Sequence, residues 1–360
     1  LNRPLNVSLN IKQVEGPAGG GVAFASALER GLTQRGWRVC RDLRAGLDAL
    51  LLLSFRNGSD YASYTPHQAA EYLTAHPNTV SLLRVNDSDQ ARFVSTGINR
   101  SAAQAQQIVD HTVFVSDFIK NLHLSEGLDP DRPVSVIRNA APAHLFHANN
   151  RAVWDGKSPL RLVTHHWSPA YTKGHDIYER LDQLLGMPQW SKRFHFSYVG
   201  TVPLGLSYAN ARMVPLISGH QLGDELRSHH AYITAARGEA APMHAIEAMQ
   251  CGLPVLHLNS GSMPEYCSQG GLSFTLADFE SKLSALPDLY PSLVGQLAQR
   301  PDYGVERMVD AYAHLIEGLV VERRATPRRE PSNLQKAGLS IARLGRRGRA
   351  ACLRMRRVFQ

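Results

Sequence analysis

The chain has 360 residues, 43% hydrophobic and 19% charged, an ordinary globular composition at a length that suits two domains better than one small core. No apolar run approaches the ~18–20 residues of a membrane span, no signal-peptide pattern is read over the opening residues, and Cys40, Cys251, Cys267 and Cys352 are scattered without a C-x-x-C, which points to a reducing compartment and away from a disulfide framework or zinc ribbon. The net charge of +8 divides unevenly: residues 323–360 hold twelve of the 39 bases and one of the 31 acids, leaving 27 bases and 30 acids elsewhere. A slightly acidic body is a poor nucleic-acid surface, whereas the basic end asks for an anionic partner, whether membrane, nucleic acid or acidic protein.

In chain order, "NVSLNI" (6–11) alternates and predicts a strand, "VEGPAGGGVAF" a Gly-rich turn, and "AFASALERGLTQRGW" a helix. Strand, Gly-rich turn and helix open a doubly wound α/β unit. The runs "RVC", "ALLLLSF", "VSLLRVN", "HTVFVS" and "PVSVIRN" predict further strands, with "PHQAAEYLTAH" and "SAAQAQQIV" helical between them. After a polar loop near 147–158 the pattern restarts. "LRLVTHHW", "FHFSYVG", "MVPLIS", "AYITAA" and "PVLHL" read as strands; "GHDIYERLDQLL", "APMHAIEAMQ", "ADFESKLSAL" and "YGVERMVDAYAHLIEGLV" read as helices. The expected fold class is α/β, two facing Rossmann-like domains with an interdomain cleft, divided at 1–150 and 151–324. Residues 325–360 are expected to form a basic tail, either an amphipathic helix with Ile341, Leu344, Gly348, Cys352, Met355 and Phe359 at steps of three or four or a disordered segment.

"GEAAPMHAIEAMQCGLPV" (238–255) places Glu239 and Glu247 eight residues apart across Pro242. In one continuous helix they would stand about 12 Å apart along the axis, on different faces. Proline belongs in a helix's first turn and glycine just past its end. The helix is therefore expected from near Pro242 to near Gly252, with Glu239 on the entry loop and both acids facing the space before a helix N-terminus, which suits an anion.

Glu239-x7-Glu247 with its Gly-Leu-Pro tail, set in a second Rossmann half, resembles the retaining nucleotide-sugar glycosyltransferases of family 4, which have the GT-B fold. The resemblance runs from about residue 6 to 320. "GGGVAF" (19–24), "VFVSDF" (113–118), "VIRNAA" (136–141) and "YTKGHD" (171–176) fall in the family's order. It implies that Glu247 holds the ribose hydroxyls, that Glu239 orients the donor sugar, and that Lys173 neutralises the diphosphate. Backbone N–H groups at Gly20, Gly21, Ala241 and Met243 would cradle the phosphates. The family has an arginine about six residues before the lysine; here "THHWSPAYTK" offers His165, His166 and Trp167, and His166 is expected to take over part of the clamp as a protonated side chain. Where the family often has a histidine after the fourth strand, Asn86 and Asp87 stand and are expected at the acceptor or sugar side of catalysis.

The implied co-substrate is a nucleoside diphosphate sugar, with no separate cofactor and no metal. The implied acceptor is a saccharide or lipid-linked saccharide, with the basic tail on an anionic membrane surface at the cytoplasmic inner face and no nucleic-acid partner. Asp87-x-Asp89 also matches the metal-holding D-x-D of other glycosyltransferases, although aspartates are common in turns. His229–His230 reads as core, Glu265 as a helix-start residue or a further ligand, and Trp167 as cleft wall or stacking partner. The rival readings are an epimerase or phosphorylase of the same fold, and a degenerate relative that only binds glycans.

Overall fold

A computed structural model describes residues 3–13, 20–56, 59–299 and 304–326. The expected tail from residue 327 and the turn at 14–19 lie outside the described residues.

The first half forms strands β1 (Asn6–Leu9), β2 (Arg38–Cys40), β3 (Ala49–Leu52), β4 (Val80–Val85), β5 (His111–Phe114) and β6 (Val134–Val136), with helices α1 (Gly20–Gln34), α2 (Pro66–Ala75), α3 (Asp89–Arg92), α4 (Ile98–Gln106) and α5 (Asp117–Ser125). The second half forms β7 (Leu160–His166), β8 (Phe194–Gly200), β9 (Arg212–Val214), β10 (Ala231–Thr234), β11 (Val255–Leu258) and β12 (Gly271–Phe274), with α6 (His175–Leu185), α7 (Pro188–Ser191), α8 (Gly219–Arg227), α9 (Met243–Gln250), α10 (Met263–Tyr266), α11 (Phe279–Ala298) and α12 (Val305–Ala325). Each half has one parallel six-stranded sheet, ordered β2-β1-β3-β4-β5-β6 and β12-β11-β10-β7-β8-β9. The expected pair of Rossmann-like halves is therefore present. Parallel strands covered by helices on both faces read as continuous apolar runs, and every residue of β3 and β4 is buried.

The strand orders locate the ligand sites. The second sheet winds from β7 outward through β8 and β9, then restarts at β10 on the other side of β7. The crevice at such a switch point, beyond the C-terminal ends of the strands, is where open α/β sheets bind ligands. Here it is lined by the segments after β7 and after β10, which carry Lys173 and Glu239. The first sheet reverses between β1 and β3, beside the start of α1.

One boundary differs from expectation. α12 lies beyond the second sheet in sequence, yet its Met308, Val309, Tyr312, Ala313, Ile316 and Val320 belong to the core of the first sheet. It crosses α1 at Gly31, where an added methyl would sit 2.6 Å from a Val309 methyl. Arg323 and Arg324, counted above with the basic end, pair with Asp110 at 2.6 Å and Asp48 at 3.2 Å. By packing, the second half ends before residue 305 and the chain returns to the first.

Candidate active site

The turn after β7 is fixed to the turn after β10. Arg237 N–H donates to the Thr172 carbonyl at 2.8 Å, and the Arg237 guanidinium holds Asp176 with two bonds of 2.9 and 2.7 Å. Between them Gly174 has φ +92°, and a methyl there would lie 2.5 Å from the Ala235 carbonyl oxygen. Only glycine combines that conformation with that approach. The turn delivers Lys173, whose Nζ donates to Glu239 Oε1 at 2.5 Å.

Glu239 is positioned by its backbone. Its carbonyl accepts from Ser262 N–H and Ser262 Oγ, both at 2.9 Å, and Gly238 N–H donates to Ser260 Oγ at 3.1 Å. The α9 helix starts as expected, with Pro242 as its cap and Gly252 at φ +80° beyond its end. Glu247 stands on its second turn and accepts from His165 Nε2 at 2.9 Å. Tyr232 fixes the far side of that ring, its hydroxyl 3.1 Å from His165 Nδ1. A carboxylate facing Nε2 requires a proton on that nitrogen. Glu247 thus has one oxygen engaged and another to offer.

His166 does not fill the expected role. It lies beneath the site, 2.8 Å from the Tyr178 hydroxyl and 3.3 Å from Thr164 Oγ1. Burial, with the nearby His244 and Lys173, holds its pKa well below the usual value, so it does not supply the expected positive charge. His244 is likewise buried and neutral, bonded to Thr234 Oγ1 at 3.0 Å. Successive side chains of a strand point to opposite faces, and β7 turns His165, not His166, toward Glu247. Trp167, at the position of the expected arginine, is 59% exposed, and its carbonyl accepts from Thr201 Oγ1 at 2.9 Å.

The first half closes the other wall. Asn86 and Asp87 follow β4, both half-buried. Burial raises the Asp87 pKa, its ion pair with Arg92 opposes this, and the charge of Glu239 adds to the rise. Asp87 and Glu239 therefore feel each other across the cleft. Asp89 opens α3, and its carboxylate accepts from the Thr96 and Asn99 backbone N–H groups at 2.8 and 3.3 Å. Asp87 and Asp89 thus have separate partners, and no group of three His, Cys, Asp or Glu side chains that could hold a metal occurs among the described residues. Gly20 and Gly21 are the first residues of α1, where an added methyl would meet no atom within 4 Å. Ala241 is half-buried and packs against core residues of both halves, and Met243 is half-buried at the start of α9. His229 and His230 are core: His229 meets Ser197 Oγ at 2.9 Å and His230 accepts from Arg161 N–H at 3.1 Å.

Sequence reasoning missed the clasp between the halves. Glu265, the acid in the first turn of α10, accepts from Asp117 and Phe118 N–H groups of α5 at 3.0 and 3.4 Å, and Arg138 bridges it to Asp117 at 3.4 Å on each side. A carboxylate at a helix N-terminus is stabilising; here it belongs to the opposite half. Tyr266 donates to the Val115 carbonyl at 2.6 Å and accepts from Asn139 N–H at 3.0 Å. The signal was Pro264-Glu265 after Gly261-Ser262, a helix start, but the sequence does not say that its acid reaches another helix.

Residues 208–281, the stretch that carries Glu239, Glu247 and Glu265, match the family described as Glycosyl transferases group 1. No curated protein matches the chain in sequence. Among solved structures, sucrose-phosphate synthase (tll1590) from Thermosynechococcus elongatus superposes with a TM-score of 0.60 at 16% identity, over 89% of this chain and 100% of that one. Anabaena Alr3699/HepE in complex with UDP and glucose gives 0.62 at 12% identity, over 88% and 100%. WaaG, a glycosyltransferase involved in lipopolysaccharide biosynthesis, gives 0.55 at 14% identity, over 87% and 100%. The fold is that of these proteins, the GT-B arrangement of two Rossmann-like halves about a cleft.

Proposed function

We propose that the chain is a retaining glycosyltransferase that moves a sugar from a nucleoside diphosphate sugar to a saccharide or lipid-linked acceptor in polysaccharide or glycolipid assembly. One observation carries the reading: Lys173 Nζ and Glu239 Oε1, 2.5 Å apart, stand with Glu247 at the switch point of the second sheet, and both glutamates lie within the stretch that matches the glycosyltransferase family. The fold and that match support a glycosyltransferase; the donor, the stereochemistry and the acceptor are part of the proposal. HepE was solved with UDP and glucose, so a uridine nucleotide is the first donor to try.

In this reading Glu247 accepts from the ribose hydroxyls with the oxygen that His165 leaves available. The arriving diphosphate competes with Glu239 for Lys173. Lys173 turns to the phosphate, where charge grows as the sugar–phosphate bond breaks, and Glu239 turns to the sugar hydroxyls. One preorganised donor at such a leaving group is typically worth ~3 kcal/mol. The start of α9 adds its dipole at the same place. The departing phosphate takes the acceptor's proton on the face from which it leaves, which gives retention without a separate base. No metal enters this scheme. The basic end of the chain would hold the enzyme to an anionic inner membrane face; no described helix is long and apolar enough to cross a membrane.

A second reading has its own observation. With His166 buried and neutral and Trp167 in the expected arginine's place, Lys173 is the cation left from the expected clamp. A degenerate, glycan-binding protein would look like this. Product analysis separates the readings. Nucleotide release with the sugar appearing on an added acceptor supports transfer. A changed sugar without acceptor indicates an epimerase, and binding without release indicates the degenerate form.

A further inference from the structure

The cleft wall opposite Glu239 carries a loop that the donor reading leaves unused. It runs from the short helix α3 into the start of α4, and Asp89, the first residue of α3, is its hub. Its Oδ1 accepts from Thr96 N–H at 2.8 Å and Thr96 Oγ1 at 3.3 Å, and its Oδ2 accepts from Asn99 N–H at 3.3 Å. Asn99 Oδ1 accepts in return from Asp89 N–H at 3.1 Å, and Asn99 Nδ2 donates to Gln90 Oε1 at 2.7 Å. At the tip of this frame stands Phe93, 61% exposed and in the left-handed backbone region at φ +57°. Neither property suits phenylalanine. An exposed ring forgoes the favourable transfer out of water, and the left-handed conformation crowds its Cβ against the following carbonyl oxygen. The other non-glycine with positive φ among the described residues is Asn150, a type that tolerates it. Strain of this kind collects where a site requires it.

Phe93 is also close to the chemistry. A methyl on Gly238 would lie 2.2 Å from the Ala91 carbonyl oxygen and 3.1 Å from Phe93 Cε2, and Glu239 is the next residue. Arg92, beside Phe93, is paired with Asp87 at the exit of β4. The exposed apolar surface at this tip is small, Phe93 with Val94, and Arg92 and Thr96 are exposed around it.

We propose that Phe93 is the platform for the acceptor, and that the C–H face of a pyranose ring stacks on it while Asp87 and Arg92 bond the ring's hydroxyls. This rests on the transfer reading above. An apolar patch of one ring's size, edged by polar groups, fits a sugar's apolar face and hydroxyl rim better than a lipid chain, which needs a continuous groove. A stacked ring would have its hydroxyls toward Glu239 and a donor held by Lys173.

The test is saturation-transfer NMR on the full chain with UDP and a set of methyl glucosides, galactosides and mannosides of both anomers. Phe93→Asn keeps a residue type that accepts the left-handed backbone, and Phe93→Tyr keeps the ring. At least one methyl pyranoside should take up saturation from the wild type and from Phe93→Tyr. In Phe93→Asn its signal should fall at least tenfold, while UDP still binds and the melting temperature is unchanged or higher. An undiminished pyranoside signal in Phe93→Asn would overturn the proposal, as would a wild type that binds UDP but none of the pyranosides. If UDP and the other nucleoside diphosphates give no signal, the donor reading itself fails, and this one with it.

Discussion

Gly174→Ala should damage both stability and donor binding, and its cost can be worked from the backbone. The residue has φ +92°, and the new methyl would lie 2.4 Å from Ala235 Cβ and 2.5 Å from the Ala235 carbonyl oxygen. The conformation alone costs about 1–2 kcal/mol. The overlap adds about 1–3 kcal/mol because its neighbours are a main chain and a short side chain with nowhere to rotate. The sum is a loss of roughly 2–5 kcal/mol, which for a domain of this size lowers the melting temperature by about 4–20 °C. Gly205→Ala is the matched control. Its φ is +83° and its methyl would meet no atom within 4 Å, so only the conformational term applies, about 1–2 kcal/mol. The two variants also differ in function. Relief of the clash moves the turn that delivers Lys173 to Glu239, so Gly174→Ala should weaken nucleotide binding at least tenfold while Gly205→Ala leaves it alone. Thermal melts and nucleotide titration by calorimetry read both effects. If Gly174→Ala melts with Gly205→Ala and binds nucleotide as the wild type does, the close turn does not position Lys173.

Tyr266→Phe removes a buried hydroxyl from the Val115 carbonyl and the Asn139 N–H across the two halves; an unpaired buried group costs about 1–3 kcal/mol, so chemical unfolding should show that loss, and an unchanged midpoint would mean the halves are not clasped there. The buried histidines set an acid limit. Burial lowers the native pKa of His166 and His244 well below the usual value and brings His229 to about 3, so below about pH 6.5 the unfolded chain binds protons that the native state refuses, and stability falls as pH falls. From pH 7 to 5 each such histidine removes about 2 kcal/mol. Urea midpoints across that range should drop, and replacing His229 with Gln should flatten the drop; a midpoint independent of pH would contradict the buried, neutral assignment.

How much was legible in the sequence depended on how local each cause was. The sheets were readable because apolar runs such as "ALLLLSF" and "FHFSYVG" alternate with helical spacing, and a parallel sheet buries both faces of its strands. The start of α9 was readable because proline and glycine act on their own backbone. Short or weakly patterned elements went unread, among them α5 ("DFIKNLHLS"), the polar α8 ("GHQLGDELR") and the short β12 ("GLSF"). The helix α11 runs on through Pro287 and Pro291, where the sequence reading stops it short. The non-local facts were out of reach. An apolar stripe on α12 does not say which sheet it covers, and it returns to the first. Glu265 gives no hint that its partner is the N-terminus of α5, 148 residues earlier in the chain. His165 and His166 differ only in the face to which β7 turns them, and that face decides which one meets Glu247.

The most direct measurement is a thermal-shift panel with UDP, GDP, ADP, CMP and their common sugar conjugates on the wild type and on Glu247→Ala. A ligand that binds only the folded chain, at a hundred times its Kd, stabilises it by about 2.7 kcal/mol. A nucleotide-sugar site at the switch point predicts that one nucleoside diphosphate raises the wild-type melting temperature and leaves Glu247→Ala where it was. A wild type that responds to none of them, or a Glu247→Ala that responds equally, would contradict it.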